Sequence, residues 1–239
     1  MRIFHTEFAH DYSTYAFGYQ VHAELEPGES AREAYEHGFL PRSNEPERTN
    51  RFYLARSVRV PMDRCTFTSE NRRILKKFDG LLAATFLTRD ELRQDDEFRS
   101  HFLSYFAHKH GPDVMNHARL DGILQSVLPL RGIRYANDTG TVGYVVEAVD
   151  GPYAHYWYSA YRPDLALTHL GMWMMIDAVR RAKTEGRSHI YLGTAYGEKG
   201  RYKMNFEPLE FWNGESWSDD KDALKMLVKN DAKLIFKRT

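Results

Sequence analysis

The chain has 239 residues, of which 33 are basic and 33 acidic, so its formal net charge is zero, and it carries a single cysteine. One cysteine excludes an intrachain disulfide and a cysteine-rich metal or cluster site; no run of about 18 apolar residues is present to span a membrane, and the opening MRIFHTEFAHDYSTY is polar, with no apolar signal core. Balanced charge removes the expectation of a generally basic nucleic-acid binder, leaving room only for a local patch, and the composition reads as a soluble cytoplasmic protein long enough for one large or two small domains.

Turn signals run from Glu26 to Pro46, among them Pro27-Gly28-Glu29 and Arg42-Ser43-Asn44-Glu45-Pro46. Between them, Ser30 to Gly38 predicts a short helix with Ser30 as N-cap, Glu33 at the capping-box position and Gly38 as the stop. Phe52 to Val60 predicts a strand, with Tyr53, Ala55, Ser57 and Arg59 on one side and Leu54, Arg56, Val58 and Val60 on the other. Thr68 to Asn71 opens a helix whose apolar stripe is Ile74, Leu75 and Phe78. That helix places Arg72 beside Lys76 and Arg73 beside Lys77, a basic stripe suited to phosphate, or else a solvated face. Leu81 to Phe106 reads as mostly helical, capped at Thr88 or Asp90, and Gly111-Pro112 ends the run; Val114 to Val127 reads as another helix. His101, His108, His110 and His117 have no carboxylate or thiolate at ligand spacing, so no metal is expected there.

In the second half, Ile133–Tyr135 and Val142–Val149 predict strands around a turn at Asn137–Gly140. Gly151-Pro152 turns into the aromatic strand Tyr153–Tyr161, which Pro163 ends. Gly171–Lys183 is the strongest helix, stopped by Gly186. His189–Leu192 is a short buried strand, Lys203–Phe211 reads as extended, and Ser218–Lys237 as an amphipathic helix. Hairpins followed by one β-α-β crossover specify an α+β fold with a mixed, mostly antiparallel sheet, and this order fits the GNAT acyltransferase architecture. There, Tyr153–Tyr161 and Ile190–Gly193 are neighbours, and the N-terminal amides of the intervening helix face the gap between them, where such amides bind phosphate or a carbonyl oxygen. A CoA-using enzyme needs a loop of the form Arg/Gln-x-x-Gly-x-Gly/Ala at that helix start. Leu167 to Trp173 holds one glycine, Gly171, with a tryptophan where the second small residue belongs, which argues against a standard CoA site.

Tyr158-Ser159-Ala160-Tyr161, Pro163, His169-Leu170-Gly171, Ile190-Tyr191-Leu192-Gly193, Tyr202-Lys203 and Phe206 to Glu210 together resemble the C-terminal half of the aminoacyl-tRNA–protein transferases, that is, the arginyl-transferases and the bacterial aspartate/glutamate leucyltransferases. Gly38-Phe39, Arg42-Ser43, Ser57 to Val60 and Asn71 to Leu75 resemble the family's N-terminal segment, and Asp11-Tyr12 with Tyr15 to Gln20 its opening; nothing between Leu81 and Glu147 matches. The resemblance implies a smaller N-terminal α/β region at 1–79 and a GNAT-like transferase domain at 80–239. Three departures stand out. The stretch Asn44 to Arg56 has no cysteine where the family carries a cysteine cluster, Thr194-Ala195-Tyr196 replaces the usual aromatics in a shortened loop, and Arg162 stands in place of an acid.

The resemblance implies transfer of an amino acid, arginine or leucine, from aminoacyl-tRNA to the N-terminal amine of an acceptor protein or peptide, as in N-degron tagging. The ester is already activated, so no cofactor, ATP or metal is expected, and positioning is the main term. Tyr158 and Tyr161, with Leu170, Gly171, Tyr191, Leu192 and Gly193, are expected around the reacting groups, with main-chain amides for the oxyanion. His169 is the expected proton acceptor, with Asp164 and Glu198 as alternatives. Tyr202 and Lys203, together with Arg72, Arg73, Lys76 and Lys77, are expected on tRNA. Arg56, Ser57 and Arg59 are expected at the acceptor, one arginine pairing an acidic side chain. Two alternatives stay open: a GNAT N-acyltransferase using acyl-CoA, and a non-catalytic relative that binds tRNA or protein termini.

Overall fold

Two sheets make up the architecture in the computed structural model, which describes residues 1–13, 15–165 and 167–231. β1 (Arg2–Asp11) and β2 (Ala16–Glu24) form an antiparallel hairpin. After α1 (Arg32–Glu36) and β3 (Phe39–Pro41), β4 (Arg51–Leu54) inserts between β2 and β3, giving a four-stranded sheet of order β1-β2-β4-β3. The chain then passes through β5 (Ser57–Pro61), α2 (Ser69–Phe78), β6 (Ala83–Thr88), α3 (Arg89–Gln94), α4 (Asp96–His110), α5 (His117–Leu124), β7 (Leu130–Asn137), β8 (Gly140–Asp150) and β9 (Tyr153–Tyr161). It ends with α6 (Leu170–Thr184), β10 (His189–Thr194), α7 (Gly197–Gly200), β11 (Glu210–Trp212), β12 (Trp217–Ser218) and α8 (Lys221–Asn230). The second sheet has eight strands in the order β12-β11-β5-β10-β9-β8-β7-β6. Its one parallel pair is β9–β10, joined by the α6 crossover, so the fold is α+β and mostly antiparallel, as the hairpin-rich order predicted. Residues 1–79 supply all of the small sheet and also β5 and α2 of the larger unit.

Both faces of the large sheet are covered. On one, α6 lays Trp173, Met174, Ile176 and Val179 against Ile133, Val142 and Val145, with Ile74, Leu75 and Phe78 of α2 beside them. On the other, Leu92, Phe98, Phe102, Leu120 and Ile123 from α3, α4 and α5 pack on Tyr144, Val146 and Ala160. Tyr144 and Val145 therefore face opposite layers, the two-residue period of a strand buried on both sides. Charge is also buried here. Glu147 lies between Arg131 and Arg181, and Asp177 accepts from Arg180, Arg181 and the Tyr135 hydroxyl.

Five sequence expectations change. The first helix is Arg32–Glu36 with Ala31, not Ser30, at its N-cap and no side-chain capping bond. Leu81–Phe106 is not one helical run: Ala83–Thr88 is an edge strand on β7, and its mostly exposed side chains carry no alternation to read. Thr88 does cap the helix that follows, with Glu91 completing a capping box, and Asp95 ends α3 and caps α4. Phe52–Val60 is two strands in two sheets, because the backbone turns at Ala55-Arg56, where Ser57 N–H donates to the Ala55 carbonyl at 2.8 Å. Lys203–Phe211 is extended only near its end: Arg201–Asn205 is a 3-10 turn, and β11 starts at Glu210. The C-terminal helix runs Lys221–Asn230, and the part of that expectation at 232–239 lies outside the described residues.

Candidate active site

The parallel ladder between β9 and β10 is short. It pairs Tyr153 with His189, Ala154 with Ile190 and His155 with Tyr191, and stops. Beyond that point β9 stays on β8, while β10 turns through Gly193 (φ 84°) and rejoins β5 at Thr194–Ser57. The strands diverge, and a cavity of about 590 Å³ opens between Tyr156–Ser159 and Leu192–Thr194. A second cavity, of about 800 Å³, lies at the start of α6, against Tyr161, His169, Leu170, Gly171, Lys109 and Lys199. Tyr105, His110, Tyr156, Ser159, Met175 and Tyr202 border both. The gap is thus reached from two sides, the arrangement a two-substrate transfer needs.

Lys203 stands in the first cavity. It is partly buried, has no ion pair among the described residues, and its Nζ donates to the Thr194 carbonyl at 2.7 Å. Loss of water pushes its pKa down from 10.5 to about 8. Gly193 accommodates it: a side chain there would sit 3.2 Å from Nζ on a backbone already at positive φ. Nearby, His155 is buried with Nδ1 3.1 Å from the Tyr35 hydroxyl, and burial, helped by the Lys203 charge, pushes its pKa down to about 3, so it is neutral. On the β9 wall the Tyr158 hydroxyl meets Ser43 Oγ at 2.5 Å, and Arg119 from α5 donates to both oxygens, at 2.9 Å to Ser43 and 3.3 Å to Tyr158.

At the second cavity His169 is the exposed N-cap of α6, held at φ 78° without a side-chain capping bond. Lys77 ties this turn to α2 by donating to the Thr168 carbonyl at 2.8 Å. Gly171 is required by Tyr161, whose ring would lie 2.8 Å from any Cβ placed there.

Tyr158, Leu192, Gly193, Tyr202 and Lys203 line the first cavity, and Tyr161, His169, Leu170, Gly171 and Tyr202 line the second. Other expected site residues lie elsewhere. Tyr191 is fully buried among Tyr35, Tyr153 and Trp217. Asp164 is exposed on a 3-10 turn and bound to Arg162, which holds its carboxyl below the usual range; Glu198 pairs with Arg201. Arg56 is bidentate to Asp231 at 2.8 and 3.0 Å. Arg59 pairs with Glu210 at 2.7 Å and covers the Trp217 ring at 4.0 Å, and Ser57 Oγ donates to the Gly38 carbonyl. On α2, Arg73 is held by Glu70 and Arg72 reaches the Phe67 carbonyl, while Lys76 is exposed. Sequence reading missed Arg119, Tyr105 and His110. They come from the unmatched middle, where no local pattern marks a residue that folding brings to a distant gap.

A family model described as an acetyltransferase (GNAT) domain matches residues 69–204. Shorter stretches match curated relatives. The aspartate/glutamate leucyltransferase of Rhizobium leguminosarum bv. trifolii is 42% identical over 62 residues, 25% of this chain and 24% of that one. The enzyme of the same name from Sinorhizobium medicae is 40% identical over 75 residues, 28% of each chain. The chain therefore matches only about a quarter of the length of these relatives. Among solved structures, the C-terminal DUF2156 domain from Agrobacterium fabrum aligns with a TM-score of 0.49 at 17% identity, over 75% of this chain and 64% of that one.

Proposed function

Because the chain belongs to the GNAT acetyltransferase-domain family, we propose that its β9–β10 gap performs acyl transfer, and that the acyl group is an amino acid carried by tRNA and delivered to the N-terminal amine of a protein or peptide, as in N-degron tagging. The observation that carries this reading is the local identity to aspartate/glutamate leucyltransferases. The start of α6 agrees with it: Tyr161 fills the space over Gly171, and Trp173 takes the place of a second small residue, which leaves no loose backbone for a CoA pyrophosphate. Leucine is the donor that the relatives' name favours, and aspartate or glutamate the acceptor residue.

The reaction forms one N–C bond and breaks the ester C–O bond, and one proton passes from the amine to the departing ribose oxygen. Lys203 is the group we assign to that proton. With a pKa near 8 it exchanges protons readily at neutral pH, as a shuttle between a weakly basic amine and a poor leaving group must. In its charged form it also offers N–H donors to the tetrahedral oxyanion. His169, on the wall of the second cavity, is the alternative proton acceptor. Tyr158 and Tyr161 bound the two sides of the reacting groups, and Lys109 and Lys199, which line the second cavity, receive the anionic backbone of the tRNA 3′ end.

The test incubates the protein with leucyl- or arginyl-tRNA and peptides that begin with Asp, Glu, Lys or Ala, with acetyl-CoA in parallel. Peptide extension from aminoacyl-tRNA is the expected result. Acetyl transfer without aminoacyl transfer would replace this reading with an acyl-CoA one. Binding of tRNA without transfer to any peptide would leave a binding protein.

A further inference from the structure

Among the described residues, no aspartate or glutamate lines the 590 Å³ cavity, although Arg42, Arg119 and Lys203 all do. A cation removed from water without a counter-charge is costly, so these groups need separate explanations. Arg42 has one, since it pairs with Glu45 at 2.9 Å and donates to Gln20 at 2.8 Å. Lys203 is accounted for by the reaction. Arg119 has no ion pair among the described residues.

Its guanidinium is nevertheless held in one place. Nη1 donates to the Val114 carbonyl, while Nε and Nη2 direct the opposite edge of the fork at Ser43 Oγ (3.3 and 2.9 Å), and Nη2 also reaches the Tyr158 hydroxyl at 3.3 Å. That edge is the one arginine uses for bidentate contact with a carboxylate. Two neutral hydroxyls satisfy it only weakly, and both can rotate to donate to an anion. Asn116 caps α5 and fixes the backbone that carries Arg119, while Tyr53, Phe106 and Trp157 line the cavity beside it.

We propose that Arg119, seated by Ser43 and Tyr158, reads a carboxylate on the acceptor: the side chain of an N-terminal aspartate or glutamate whose amine enters the gap. The proposal rests on the aminoacyl-transfer reading above and assigns the acceptor's anionic group to a residue outside the stretches that resemble the family. Arg56 and Arg59, the arginines to which the resemblance gave this role, already hold Asp231 and Glu210. A tRNA phosphate is the competing anion. The other cavity already offers it Lys109 and Lys199.

The experiment measures binding of labelled peptides beginning with Asp, Glu, Asn or Gln to the intact protein in the absence of tRNA. It compares the wild type with Arg119→Gln and Arg119→Lys, and thermal melts report folding. The wild type should prefer the acidic peptides over their amides by at least about tenfold. Arg119→Gln should reduce that ratio to near unity, and Arg119→Lys, which keeps the charge but not the fork and so serves even if the glutamine variant unfolds, should leave an intermediate ratio. A wild type without preference, or a ratio that both variants leave unchanged, would overturn the proposal, as would a loss of tRNA affinity with peptide discrimination intact. Because binding is read without donor, a failed transfer assay sinks the aminoacyl-transfer reading separately.

Discussion

The cluster of charges under α6 and the gap between β9 and β10 use the same side-chain types to opposite ends. Under α6, Glu147 is 1% exposed yet meets Arg131 at 2.9 Å and Arg181 on its other oxygen, and Asp177 is enclosed by Arg180, Arg181 and Tyr135. Every formal charge there has its opposite within the fold, so the cluster fixes how α6 sits on β7 and β8 and asks nothing of a ligand. In the gap, Arg119 and Lys203 face a cavity with no acid among the described residues. The contrast separates a charge neutralised within the fold from one left open to the cavity: what distinguishes them is not burial or residue type but whether the counter-charge is already present.

The largest effect tests the first half of that contrast. Glu147→Gln keeps the shape and takes one of two carboxylates from each arginine, since Arg131 retains Glu185 and Arg181 retains Asp177, and should cost about 2–3 kcal/mol of stability, read from denaturant midpoints. A near-neutral result would mean that the cluster is open to water and that the contrast with the gap is false. Lys203→Met tests the second half. Transfer should fall by about 10²–10³-fold in single-turnover assays, while stability should rise by about 0.5–2 kcal/mol, because an uncompensated cation has been removed. A variant that lost stability and activity together would place Lys203 with the structural charges.

The same lysine predicts a pH dependence. Its folded pKa is about 8 against 10.5 for the free group, so between these values the unfolded chain binds more protons. Stability therefore rises with pH across that window, and below it the folded protein carries the full penalty of a buried ammonium. Urea unfolding at pH 7.5 and 9.5 should show this rise in the wild type and lose it in Lys203→Met. A rise that survives the substitution would assign the titration to another group.

Much of the large sheet was legible because its signals are local. The turn at Asn137–Gly140, the proline that closes β9 and the apolar stripe of α6 each act within a few residues. β1 and β6 escaped because their side chains are largely exposed, so backbone pairing rather than hydrophobic alternation makes them strands. The site was half legible for the same reason. Tyr158, Gly171, Gly193 and Lys203 fall in ordered motifs; Tyr158, Gly193 and Lys203 line the first cavity and Gly171 the second. Arg119 sits 39 residues before Tyr158 and 76 after Ser43, and only the packing of α5 against the loop between β3 and β4, where Gly122 meets Pro46, brings the three together. The reverse error has a physical cause too. Arg56 and Arg59 look available in a sequence, because their partners Asp231 and Glu210 lie more than 150 residues away.

Smallest in stability and informative about the donor is the pair Arg72→Ala with Arg73→Ala. These side chains belong to neither of the two regions compared above: they are exposed, and among the described residues Arg73 is held by Glu70 on the same helix and Arg72 reaches the Phe67 carbonyl. Exposed pairs of this kind contribute little, so the double variant should unfold within about 0.5 kcal/mol of the wild type. If α2 guides the acceptor stem toward the start of α6, to which Lys77 already ties it, tRNA affinity should drop several-fold at low salt, and the dependence of log affinity on log salt should flatten by about one to two. A slope unchanged at equal stability would mean that neither arginine touches phosphate. The donor would then approach over Lys109 and Lys199, the cations on the opposite rim of the second cavity, and α2 would count as a solvated face whose charges neither build the fold nor meet the substrate.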